Sequence, residues 1–229
     1  MAVAAPIEGR AILAAARSGA VFPAPWEVAE VAAGVDMVHL GVSKANAAGA
    51  LARVLARAEG QYGAVINAGI AGSLPDGARF VLQPGDTVVA ARCVFADEGI
   101  VTPAGYQTVA AMGFAINPDG EDAFACDVRL VEGLRPMVTA VGDIATVSTC
   151  SGTDALARAV ALRTGAIAET MEGAACALVC HRAGVPFVEV RAISNFTGDR
   201  AKQAWDIKGA LAALEALFAR VLGDDREAR

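Results

Sequence analysis

The chain has 229 residues, 55% of them apolar and only 5% aromatic, with a formal net charge of −6. That length buries a large core without disulfides or a structural metal, and an acidic balance with no cluster of Lys and Arg excludes a groove that tracks nucleic-acid phosphates. Mean hydropathy is +0.46, yet charges or Gly/Pro breaks interrupt every apolar stretch before about 18 residues, which excludes a membrane span.

Strand and helix signals alternate from the start. Met1-Ala2-Val3-Ala4-Ala5-Pro6 lacks the basic start and long apolar run of a signal peptide, so residues 2–5 read as a short buried strand and the expected setting is cytoplasmic. A helix is predicted over 8–17, a strand over 36–42 interrupted by His39, and an Ala-rich helix over 44–59 that Gly60 ends. Residues 64–68 read as a strand entering a glycine-rich loop, Gly69-Ile70-Ala71-Gly72-Ser73. Pro84-Gly85-Asp86 makes a turn before a strand over 87–95. Thr102 with Pro103 reads as the capped start of a helix running to Met112, and 127–134 as a second short helix. Then come a β-branched strand over 137–147, a helix over 154–163, and a short strand over 166–168. A helix over 172–183 closed by Gly184, a strongly apolar strand over 187–193 and a helix over 204–222 complete the series, with the charged residues 224–229 read as a frayed end. No Pro/Ser/Gly linker and no repeat divides the chain. Residues 1–229 are therefore expected to form one α/β domain, a mixed central sheet flanked by helices.

The five cysteines, Cys93, Cys126, Cys150, Cys176 and Cys180, are odd in number and scattered, which makes no disulfide framework. Cys176, Cys180 and His181 fall close together on one predicted helix, but no fourth ligand lies at a usual zinc spacing. Small buried thiols are the simpler reading, and neither a metal nor a cofactor is expected.

In open α/β sheets ligands sit beyond the carboxyl ends of the strands, and the unusual polar and glycine residues collect there. Gly69-Ile70-Ala71-Gly72 either lets backbone N–H groups approach a ligand or is simply a tight loop. It has neither the Lys-Ser/Thr of a Walker loop nor the glycine spacing of a dinucleotide fingerprint. Glu169 and Glu172 straddle a strand-to-helix junction; a carboxylate at a helix start suits a site or a plain capping acid. Arg191-Ala192-Ile193-Ser194-Asn195 ends the apolar strand in a polar cluster that suits a turn or a ligand clamp.

Taken in order, several segments together resemble the purine nucleoside phosphorylase and nucleosidase family over nearly the whole chain. They are Ser43-Lys44-Ala45-Asn46-Ala47-Ala48, Val65-Ile66-Asn67-Ala68-Gly69-Ile70-Ala71-Gly72, Pro84-Gly85-Asp86-Thr87-Val88-Val89, Met171-Glu172-Gly173-Ala174-Ala175 and Val185-Pro186-Phe187-Val188-Glu189-Val190-Arg191-Ala192-Ile193-Ser194. The resemblance implies a nucleoside phosphorylase-like three-layer fold, a small nucleoside and water as partners, and a homo-oligomer. Ala96-Asp97-Glu98-Gly99 with Thr102-Pro103, residues 146–153, and Ser194-Asn195 with Gly198-Asp199-Arg200 and Trp205 resemble more closely the hydrolase branch that releases hypoxanthine on a route to menaquinone.

By this resemblance Glu172 binds the ribose hydroxyls, Met171 packs on the apolar face of the sugar, and Asn195 hydrogen-bonds N7 and O6 of the base. The adenine-releasing methylthioadenosine/S-adenosylhomocysteine nucleosidases of the family have an Asp there as general acid. An Asn amide protonates nothing at neutral pH, and it complements a 6-oxopurine instead. Ala71, Gly72 and Ser194 are expected against the substrate, Thr153 against the base through its backbone, and Phe95 or Phe196 stacked on the purine or in the core. Asp97, Arg191 and Arg200 are candidates for the aromatic carboxylate end of the substrate. His39 and His181 read as structural. No Arg lies at the glycine-segment positions where phosphorylases of the family surround phosphate, so water is the expected nucleophile. Glu8, the one acid in Pro6-Ile7-Glu8-Gly9-Arg10, is the candidate to activate it, with Gly9 the alternative match and a first-turn helix charge the alternative role. The rivals are an adenine-releasing nucleosidase, against which Asn195 argues, a phosphorylase, and a nucleoside-binding member without turnover.

Overall fold

The computed structural model describes residues 1–16, 19–58 and 60–223. The predicted helix ends at Arg17 and Glu59, and the frayed end over 224–229, lie outside the described residues. In chain order the elements are β1 (Ala2–Val3), α1 (Pro6–Ala16), β2 (Val28–Ala32), β3 (Val35–His39), α2 (Lys44–Ala58), β4 (Val65–Ser73), β5 (Pro75–Asp76), β6 (Arg79–Phe80), β7 (Thr87–Phe95), β8 (Gly99–Thr102), β9 (Gly105–Thr108) and β10 (Ala123–Ala125). They continue with α3 (Val128–Leu134), β11 (Ala140–Thr146), α4 (Asp154–Thr164), β12 (Ala168–Thr170), α5 (Gly173–Ala183), β13 (Phe187–Phe196) and α6 (Ile207–Val221).

Nine of the strands form one mixed sheet. Five of them close on themselves: β4 pairs with β12, β12 with β11, β11 with β7, β7 with β13, and β13 with β4 again. The others extend this ring, with β1, β3 and β2 as an arm beyond β4 and β10 against β7. β13 pairs with β4 from Phe187 to Phe196 and with β7 at Val190–Ala192, and nine of its ten residues are buried. Helices cover both faces. On one, the small residues Ala174, Ala175, Cys176 and Ala177 let α5 pack in one apolar cluster with Phe187 and Ile193. On the other, Ile12 of α1 and Leu214 and Phe218 of α6 pack on Val3, Ala68 and Ala192. This is the expected mixed sheet in three layers.

Three predicted elements are corrected. The glycine-rich segment 69–73 is not a loop; it completes β4, because both neighbours, β13 and β12, hydrogen-bond to it there. Residues 102–112 are not a helix: β8 and β9 form a hairpin. Thr102 Oγ1 accepts from Ala104 N at 3.2 Å and donates to Gly105 O at 2.9 Å, and Gly105 turns the chain at φ +119°. That local bonding competes with the helical ladder. The short strand predicted over 166–168 lies at Ala168–Thr170 instead, where it reaches β4.

His39 packs on Phe22 and sits 3.2 Å from Pro23 O, while His181 packs on Phe124. Cys176 and Cys180 are buried in the core. Among the described residues, no three His, Cys, Asp or Glu side chains gather as metal ligands would.

Candidate active site

A cavity of about 510 Å³ opens at the carboxyl ends of β1, β4 and β12, against the end of β13. That size suits a nucleoside-sized ligand. Its walls bring together Glu8, Ala71, Gly72, Met171, Glu172, Ser194, Asn195 and Arg200 from the sequence-derived candidates.

Glu8 lies in the first turn of α1 and is 5% exposed. Its Oε2 accepts from Ala5 N at 2.9 Å, as a helix-start acid would, but Oε1 reaches across to Ile70 N of β4 at 2.8 Å. The two carboxylate oxygens thus tie the first helix to the glycine-rich strand. Gly9 is turned away: a Cβ there would fall 1.8 Å from the Phe22 ring, so the neighbouring match contributes nothing to the cavity.

Glu172 occupies the N-cap position of α5 yet makes no side-chain cap bond. Its Oε1 accepts from Ser43 N at 3.2 Å, and Oε2 lies 3.5 Å from Arg191 Nη2. Ser43 has φ +102°, a conformation costly for a residue with a side chain. Beneath them Arg191 is 1% exposed; Nε donates to Glu189 Oε1 at 2.8 Å and Nη2 to Asn67 Oδ1 at 2.5 Å. Gly69 must lack a side chain, since a Cβ would meet both Arg191 Nη1 and Glu8 Oε1 at 2.5 Å. Burial works against the Arg191 charge, but Glu189, Glu172 and Glu8 together hold it protonated. Burial pushes both Glu8 and Glu172 above the usual carboxylate range, and Arg191 only partly offsets it. Arg191 is therefore the buried counter-ion of the cluster, not a contact for the substrate's carboxylate end.

Asn195 stands on β13 just past a β-bulge: Ile193 pairs with Ala71, Asn195 pairs with Gly72, and Ser194 is the extra residue. It lies inside the strand, so the turn reading does not describe it. Its Nδ2 donates to Phe196 O at 3.0 Å and its Oδ1 accepts from Ser194 Oγ at 2.9 Å, which fixes the amide's orientation and leaves one N–H for a ligand. Opposite, Glu169 Oε1 accepts from Ser151 N at 2.8 Å and Oε2 from Ser151 Oγ at 2.5 Å. At the mouth, the Arg200 guanidinium lies over the Trp205 ring and donates to Gln203 Oε1 at 3.1 Å. Gln203 in turn donates to Ser151 O and Gly198 O.

Several expected contacts fall elsewhere. Thr153 does not line the cavity; it caps α4, accepting from Leu156 N at 3.2 Å, and Gly152 takes the place at the wall. Thr153→Ala is expected to cost about 1 kcal/mol in urea unfolding; unchanged stability rejects the capping role. Asp97 accepts from Ser148 N and pairs with Lys44 behind the wall. Phe95 lies in the core under Lys44, and Phe196 packs on Phe80; neither lines this cavity. Sequence reasoning passed over Cys150, Ser151 and Gln203 as individual wall residues. The position of residues 148–153 just past a predicted strand, and the resemblance carried by 146–153, pointed toward the first two without singling them out.

The fold and this cavity define a protein of the Phosphorylase superfamily, which residues 27–223 match and to which the chain belongs. It is 39% identical over 190 residues to the futalosine hydrolase of Acidothermus cellulolyticus, covering 80% of this chain and 73% of that one. With the futalosine hydrolase of Thermus thermophilus it shares 35% identity over 211 residues, 86% of this chain and 85% of the relative. A 5'-methylthioadenosine/S-adenosylhomocysteine nucleosidase from a Marinomonas species is 34% identical over 184 residues, 76% and 74% of the two chains. Among solved structures, the 5'-methylthioadenosine/S-adenosylhomocysteine nucleosidase of Neisseria meningitidis in complex with methylthio-immucillin-A shares the fold, with a TM-score of 0.75, 24% identity and 97% of each chain covered.

Proposed function

We propose that the chain hydrolyses the N-glycosidic bond of futalosine, releasing hypoxanthine and dehypoxanthine futalosine in the futalosine route to menaquinone. The observation that carries this reading is Asn195: an amide, locked by Phe196 O and Ser194 Oγ, at the wall where the adenine-releasing nucleosidases of the family have an acid. The similarity to futalosine hydrolases supports the same substrate.

Cleavage leaves a sugar with oxocarbenium character and a departing purine anion, and the site has to stabilise both. Glu172, anchored by Ser43 N, holds the ribose hydroxyls and places negative charge beside the developing cation. Glu8 takes a proton from water as its oxygen bonds to the anomeric carbon. The electron pair of the broken C–N bond leaves on the purine, where the free N–H of Asn195 meets it; the purine anion takes a proton from solvent water to become hypoxanthine, and Glu8 gives its proton back to solvent. Among the described residues the one arginine lining the cavity, Arg200, is engaged with Gln203 and Trp205 at the mouth, which favours water over phosphate as the nucleophile. No described helix is long and apolar enough to cross a membrane. The reading extends to a homo-oligomer, as the resemblance implies, and to a cytoplasmic setting.

Incubation with futalosine, inosine and methylthioadenosine, each with and without phosphate, tests it. Hypoxanthine should appear from futalosine without phosphate. Preferential adenine release moves the chain to the methylthioadenosine nucleosidases, a phosphate requirement makes it a phosphorylase, and no release of any base leaves a binding protein.

A further inference from the structure

Glu169 has no part in the mechanism above, yet it is a carboxylate only 6% exposed in the wall of the same cavity. Its position is set by the sheet. On β4, Gly72 pairs with Glu169 of β12 on one side and with Asn195 of β13 on the other. The acid and the amide therefore flank a residue with no side chain, about two strand spacings or roughly 10 Å apart at Cα. A side chain is not tolerated at Gly72, since a Cβ there would meet Thr197 Cγ2 at 2.7 Å. All three residues line the cavity.

We propose that Glu169 accepts the N1–H of the leaving 6-oxopurine and, with Asn195 across Gly72, sets the base specificity of the site; this deepens the reading of function above and rests on it. Ser151 donates one hydrogen to each carboxylate oxygen, so the group is oriented and held as an acceptor. An ionised carboxylate has about four acceptor positions, and Ser151 occupies two of them. Along one edge hypoxanthine presents an N1–H donor, then the O6 and N7 acceptors. Adenine presents an N1 acceptor, a 6-amino donor and the N7 acceptor. A carboxylate at one end and an amide N–H at the other match the first pattern. They meet adenine with acceptor against acceptor at N1 and donor against donor at position 6, which leaves buried polar groups unpaired.

Glu169→Gln tests this, because Gln still accepts from Ser151 N but loses the charge and points a donor somewhere a carboxylate had none. With futalosine, kcat/KM is expected to fall about 10- to 100-fold, the size of one lost hydrogen bond to a charged group. With the 6-amino analogue of futalosine it should hold or rise, so the ratio between the two substrates shrinks. A residue that only anchors Ser151 would lower both by the same factor, and that result overturns the proposal. The unaltered protein supplies a second arm that does not depend on the variant folding. As product inhibitors, hypoxanthine should bind at least about 10-fold more tightly than 1-deazahypoxanthine, which has C–H in place of N1–H. Equal binding overturns the proposal. Unaltered protein that releases no hypoxanthine from any nucleoside instead overturns the reading of function on which it rests.

Discussion

Glu8→Gln lowers kcat on futalosine by about 10²- to 10⁴-fold, the usual contribution of a positioned general base, with little change in KM. Gln preserves the shape of the side chain and can keep the bond from Ile70 N, but it cannot take a proton from water. The pH profile sharpens the test. Burial raises both Glu8 and Glu172 from their ordinary value, and the charge of Glu8 is among the influences that raise Glu172. In the unaltered protein, activity should therefore climb with pH along an acidic limb that lies above the usual carboxylate range and belongs to the pair. Removing Glu8 removes one like charge, so whatever limb remains shifts to lower pH. Wild-type turnover in the variant, measured under saturating substrate, returns Glu8 to the role of a helix-start acid bonded to Ala5 N.

Asn195→Asp changes which base leaves. A carboxylate has no N–H to offer N7 and O6, and it would face Phe196 O, which now accepts from the Asn195 amide at 3.0 Å. When protonated, it can give its proton to an adenine leaving group. A site built around a hydrogen-bond pattern discriminates by about 10⁴–10⁵ against a ligand that lacks it. The ratio of kcat/KM for futalosine to that for its 6-amino analogue is expected to drop by at least about 100-fold in the variant. An unchanged ratio rejects Asn195 as the residue that selects a 6-oxopurine. These two substitutions separate the two halves of the reaction, since Glu8 acts on the water and Asn195 on the departing purine.

The strands that hold the site were legible where their signal was local. Residues 87–95 and 187–193 are apolar, β-branched and bounded by turns, and they are strands in the structure. The glycine-rich segment after residue 68 was misread because its partners are distant: nothing nearby in the chain announces that β12 and β13 bond to it. The same limit hid the bulge at Ser194, which only a register between two strands defines. The hairpin over 99–108 failed for the opposite reason. Thr102 and Pro103 make a good helix start, and the local Thr102–Gly105 bonds that defeat it are equally short-range. Arg191 was placed among substrate contacts because an Arg suits bidentate pairing with a carboxylate. Glu189 two residues earlier was the available clue, since two opposite charges on one face of an otherwise apolar strand are paired inside. Thr153 carried its own warning, a Thr just ahead of an Asp and a helical stretch, which is a cap pattern.

The closed ring of strands also decides when this protein can first bind its ligand. β4 and β13 are joined through contacts such as that of Ser194 Oγ with Ala71 O, 123 positions apart in sequence. Contacts that remote form slowly, because the chain loses loop-closure entropy before the pairing compensates for it. During synthesis Glu8, β4 and Glu172 emerge well before Asn195, Arg200 and Trp205, and without β13 there is neither a second wall nor a completed ring. A chain that stops before β13 therefore lacks the wall that carries Ser194 and Asn195. Because only the closed state binds it, the ligand itself draws late-folding molecules toward completion and raises their resistance to unfolding as its concentration rises.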